Sequence, residues 1–75
     1  MRKLNRHEEA LASYDMAIKH SPTDSNAFVG RGNCLWKLNR FDEALISYDM
    51  AIKHDPYNSL AINNRKLLLE KLESK

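Results

Sequence analysis

"YDMAIKH" runs from Tyr14 to His20 and returns unaltered from Tyr48 to His54, 34 positions later in a chain of 75 residues. Sliding the chain by that offset lays "KLNRHEEALASYDMAIKHSP" (Lys3 to Pro22) on "KLNRFDEALISYDMAIKHDP" (Lys37 to Pro56). Only His7/Phe41, Glu8/Asp42, Ala12/Ile46 and Ser21/Asp55 differ. The register continues more weakly: "SNAFVGRGNCLWKL" (Ser25 to Leu38) lies over "SLAINNRKLLLEKL" (Ser59 to Leu72), and Arg31/Arg65, Leu35/Leu69 and Lys37/Lys71 are retained. A fixed period of this size marks a stacked unit that cannot bury its apolar face alone. The chain is about two and a fifth such units long.

Each unit reads as two helices. Phe41, Ala44, Leu45, Tyr48, Ala51 and Ile52 recur at steps of three and four, which is one apolar helical stripe. Asp42, Glu43, Asp49 and Lys53 fall opposite. Pro56 cannot extend that helix and biases Asp55 away from the α region. His54, near the helix end, suits the negative end of the dipole. Asp24 and Asn58 are placed to cap the helices that follow. Asn39, and Asn5 before it, stand where the chain must turn, and asparagine tolerates the left-handed C-cap. The reading is all-α, an antiparallel stack of helix hairpins with helices over 7–20, 25–38, 41–54 and 59–73. The short loops require antiparallel neighbours. Gly32 lies on the apolar side of its helix, where glycine costs about 1 kcal/mol of helix stability. Close approach of a partner helix is the reading that offsets this, with Ala10/Ala44 and Ala17/Ala51 as shallow surfaces. Tyr14/Tyr48 and the leucines fill the wider gaps.

Composition narrows the function. Net charge is +2, from 12 basic and 10 acidic side chains, which favours neither nucleic acid nor an anionic membrane. No stretch approaches the ~20 apolar residues of a membrane span. "MRKLNRHEEA" has no apolar run after its basic residues, so it does not read as a signal peptide. Cys34, the single cysteine, suits a reducing compartment. A cytoplasmic protein is the expectation. No catalytic or metal-ligating pattern is present. His20 and His54 are repeat equivalents at helix ends, and Cys34 has no histidine partner by motif. "GRGN" at Gly30 to Asn33 lacks the preceding strand and the Lys-Ser/Thr ending of a phosphate loop. Glu8, Glu9, Asp42 and Glu43 open helices, where acids complement the dipole.

The residues of "AFVGRGNCLWKLNRFDEALISYDMAIKHDP" give the unit a close likeness to a known repeat. Phe28, the small Gly32, Leu35, Phe41, Ala44, Tyr48, Ala51 and Pro56 fall at its spacing, and the chain resembles the tetratricopeptide repeat family over essentially its whole length. The 34-residue period sets it apart from the 35-residue RNA-reading cousin. Two features depart from the pattern: Arg31 and Arg65 stand where leucine is usual, and Lys66 replaces the packing glycine. In phase, residues 1–24 form the second half of a repeat, 25–58 a complete repeat, and 59–75 the first helix of a further repeat acting as a C-terminal cap.

The resemblance implies a non-enzymatic scaffold with no cofactor and no metal. Its first-type helices would line a concave groove for an extended peptide or a partner helix. That assigns Asn26, Val29, Asn33, Trp36 and Lys37 on one helix to the groove, and Leu60, Asn63, Asn64, Leu67, Glu70 and Lys71 on the other. Asn33 and Asn64 match two positions of a subfamily that grips a peptide carboxylate. Val29 stands where that clamp needs lysine. Trp36 is the expected hot spot, since interface energy concentrates in such aromatics. The alternative is self-association. Helix 7–20 lacks its first-type partner, so Ala10, Leu11, Tyr14 and Ile18 could be covered by another copy, as a two-fold dimer or in a head-to-tail assembly.

Overall fold

The computed structural model describes residues 6–74. Among them lie four helices and no strand: α1 (Arg6–His20), α2 (Ser25–Lys37), α3 (Phe41–His54) and α4 (Ser59–Glu73). Asn5, an expected C-cap, lies outside the described residues. The starts of α2 and α4 and the end of α2 follow from local hydrogen bonds. The Asp24 carboxylate accepts from the backbone N–H groups of Asn26 and Ala27 (3.1 and 3.3 Å), so α2 starts on an N-cap of the expected kind. Asn58 does the same for α4, accepting from the Ala61 N–H (3.2 Å).

Asn39 has φ 62°, the one non-glycine left-handed residue among those described. The Asn39 N–H donates to Trp36 O (2.9 Å) and the Arg40 N–H to Leu35 O (2.8 Å). These two reversed bonds are the Schellman pattern, and they end α2 one residue before the expected Leu38. Helix α3 opens on Arg40 with no side-chain cap; instead the Arg40 guanidinium donates two hydrogen bonds to Glu43 (2.7 and 2.8 Å).

Helix α2 packs against both α1 and α3, and α4 packs against α3 and the edge of α2. The core lies at the α2–α3–α4 junction. Leu35, Ala44, Tyr48, Ala51, Ala61 and Leu68 are fully buried there, with Phe28 and Val29 nearly so. The two glycines position the helices by admitting tyrosine rings. A Cβ on Gly32 would stand 2.7 Å from Tyr48 Cε1, so the expected close approach is real. Gly30, which helical periodicity leaves without a role, is the seat of the Tyr14 ring.

The two arginines that depart from the repeat pattern have one shared explanation. Arg31 Nε donates to Asp15 (2.6 Å) and Arg65 Nε to Asp49. Both pairs join the aspartate of a "YDMAIKH" to the helix that follows it. Arg31 also donates through Nη1 to the Ser47 hydroxyl, which is fully buried. Between the layers, Ser25 Oγ donates to Ala51 O (2.8 Å) and Asn58 Nδ2 donates to Ser25 Oγ (2.8 Å). No buried side-chain polar atom among the described residues lacks a partner, as a stable interior requires.

Candidate functional site

Helices α2 and α4 are the two first-type helices, and they touch along one edge. A surface cavity of about 290 Å³ opens on α2, lined by Asn33, Trp36 and Lys37. Behind it sits Tyr48. Its hydroxyl donates to Asn33 Oδ1, and Asn64 Nδ2 donates to the same oxygen (3.0 Å). That oxygen is therefore fully occupied as an acceptor. The amide NH₂ of Asn33 and the amide oxygen of Asn64 have no partner among the described residues, so one donor and one acceptor stand close together. An Asn carboxamide carries two donors and two acceptor sites, and this network fixes which of them face outward.

Trp36 is half-buried and meets Tyr48 edge-on, with ring centroids 6.4 Å apart and planes at 74°. That geometry favours the ring quadrupoles and holds the indole at the cavity wall. Burial, chiefly, and the neighbouring Cys34 charge push the Tyr48 phenol up to about 12. It therefore stays protonated and remains a donor to Asn33. Burial also pushes the Cys34 thiol up, which disfavours the thiolate needed for a nucleophile or a metal ligand. No group of three His, Cys, Asp or Glu that could hold a metal ion lies among the described residues. No described helix is long and apolar enough to cross a membrane.

The other residues assigned to the groove divide. On α4, Leu60 and Leu67 are 59% and 53% exposed and flank Asn63 and Asn64, so the helix presents an apolar–amide–apolar row. Lys37, Asn63, Glu70 and Lys71 are exposed, and the Lys71 ammonium lies 5.6 Å from the Phe41 ring centroid. Asn26 is exposed, but its amide oxygen accepts from Asn58 Nδ2 (3.1 Å), which ties it to the α3–α4 loop. Val29 is 5% exposed and belongs to the core, so it offers nothing to a groove. Of the residues assigned to self-association, Leu11 and Ile18 pack against the core, while Ala10 and Tyr14 are half-buried.

A second cavity, of about 330 Å³, lies on the far side of α4, lined by Ile52, Ile62, Arg65, Lys66, Leu69, Glu70 and Glu73. The sequence reading did not single it out, although the 34-residue register contains the signal. Ile62, Lys66 and Leu69 are the counterparts of Phe28, Gly32 and Leu35, the residues of α2 that face α3. A family model described as "Tetratricopeptide repeat" matches residues 2–59. No curated protein and no solved structure matches the chain.

Proposed function

The chain belongs to the tetratricopeptide repeat family, whose repeats generally mediate protein–protein interaction, and we propose that its α2–α4 edge holds an extended peptide segment by the backbone. The observation that carries this is the Tyr48–Asn33–Asn64 hydrogen-bond chain, which leaves an amide donor and an amide acceptor side by side. Those two groups match the C=O and N–H of a peptide unit. Trp36 supplies an aromatic wall for one side chain, Leu60 and Leu67 supply apolar contact along α4, and Lys37 favours an acidic residue nearby. A mid-chain segment fits better than a terminal carboxylate, because buried Val29 leaves no cation at the clamp position.

Two helices offer less surface than a standard interface, so affinity is expected to be weak. Such a module is non-enzymatic. We read 25–58 as its complete repeat and α4 as the first helix of a further one, and a reducing, cytoplasmic setting suits its buried cysteine.

Titration with an extended-peptide library, followed by fluorescence of Trp36, tests the reading. Saturable binding is expected. Trp36→Ala should weaken it by roughly 2 kcal/mol, as for a hot spot, measured calorimetrically because that variant lacks the fluorophore. Asn33→Ala should cost about 1 kcal/mol. Absence of saturable binding at millimolar protein, with the fold intact by circular dichroism, would sink it.

A further inference from the structure

Helices α1 and α3 are nearly the same sequence in two environments, and the difference exposes a surface. In α3, Ala44, Ser47, Tyr48 and Ala51 are fully buried. Their counterparts in α1 are Ala10, Ser13, Tyr14 and Ala17. Ser13 is exposed and the other three are half-buried, and α1 contains no buried residue at all. Residues 10, 13 and 17 lie three and four apart, so they form one stripe, and Tyr14 beside it turns its ring onto Gly30 of α2. Among the described residues, no helix plays for α1 the part that α2 plays for α3.

The end of the stack beyond α4 is the obvious receiver for such a stripe, but its chemistry excludes it. The Tyr48 ring rests where a Cβ on Gly32 would be 2.7 Å away. On α4 the same position is Lys66, a full side chain, which lines the cavity there beside Arg65, Glu70 and Glu73. A "YDMAIKH" helix seated on α4 in the α3 manner would drive its tyrosine into Lys66. Head-to-tail stacking of copies is therefore blocked at that residue.

The stripe is, by contrast, complementary to itself. Helix α1 carries Glu8 and Glu9 in its first turn and Lys19 and His20 in its last. Two α1 helices laid antiparallel set the acidic end of each against the basic end of the other, and the helix dipoles also oppose. Ala10, Ser13 and Ala17 are small enough for close approach, and their midpoint falls at Ser13 and Tyr14, the centre of the helix. We infer that a second copy of this chain occupies the α1 stripe, forming a closed two-fold dimer of antiparallel α1 helices, while Lys66 closes the other end to stacking. This interface is isologous, so it is satisfied at two copies and does not propagate.

The inference is independent of the α2–α4 groove. Sedimentation equilibrium of the chain over a wide concentration range tests it. The mass should rise from 8.7 kDa to twice that value and stop. Ser13→Arg changes an exposed side chain within the monomer, so helicity should persist while the doubling is lost. In a Cys34→Ala background, Ser13→Cys should form a disulfide-linked dimer on mild oxidation. A mass that stays single at millimolar protein overturns the inference. So does a mass that climbs beyond two copies, a Ser13→Arg variant that still doubles, or a Ser13→Cys variant that does not cross-link.

Discussion

Gly30 and Gly32 stand two residues apart on α2 and face different tyrosines under different constraints. The Tyr48 ring over Gly32 is fully buried and its hydroxyl is held by Asn33. It cannot yield to a methyl group. Gly32→Ala should therefore lose roughly 1–3 kcal/mol to overpacking, more than the ~1 kcal/mol that alanine gains in helix propensity. The Tyr14 ring over Gly30 is half-buried, and the ring edge that faces the glycine is the far end of a side chain with room to swing. Gly30→Ala should be neutral or stabilising by up to about 1 kcal/mol. Urea unfolding of both variants checks the contrast, and equal destabilisation would contradict it. The sequence disclosed Gly32 because helical periodicity put it on the apolar stripe. It was silent on Gly30, whose partner Tyr14 sits on another helix sixteen residues back. The arginines illustrate the same limit. Arg31 looked like a departure from an apolar pattern, and only packing shows that Asp15 and Ser47 receive it.

Three helix boundaries are set by single residues, which is why they could be read locally. Asp24, Asn58 and Asn39 all act as the sequence indicates, since capping needs only a short polar group at the right offset. The caps nevertheless differ in worth. Asp24 is exposed and bonds only its own first turn, so Asp24→Ala should cost about 1 kcal/mol. Asn58 is 8% exposed and bonds Ser25 and Asn26 across the layer as well as Ala61. Asn58→Ala would leave the buried Ser25 hydroxyl and Ala61 N–H short of a partner, and the added cost of ~1–3 kcal/mol should make it clearly the more damaging of the two. Denaturant midpoints at unchanged slope measure this, and a smaller shift for Asn58→Ala would refute the ranking. The groove is legible to the same degree. Asn33, Trp36 and Lys37 could be placed on one helix face by spacing. Val29 could not be sorted from them, because whether such a face position opens to solvent depends on the packing of neighbouring helices, which here draws it into the core.

The radius of gyration, 12.4 Å, exceeds the ~11 Å expected of a compact domain this size, and the molecule is only 15 Å thick along its shortest axis. That is the shape of a stack, in which each layer is stabilised by its own packing and by its neighbours. Stability should then be uneven. Helices α2 and α3 hold most of the fully buried residues and are covered on both sides, whereas α1 has none and, among the described helices, packs on α2 alone. The Arg31–Asp15 tie is partly exposed (28% and 51%) and so contributes at most about 1 kcal/mol at low salt. Too little holds α1 for it to share the stability of the centre. Native-state hydrogen exchange at low protein concentration should find the α1 amides opening at least tenfold more readily than those of α2 and α3, a gap of ~1.4 kcal/mol or more. Raising the concentration until copies pair should slow exchange in α1 selectively, because the pairing surface lies there, and leave α4 unchanged. Uniform exchange across all four helices would mean that the stack opens as a single unit, and that the bare stripe on α1 costs the fold nothing.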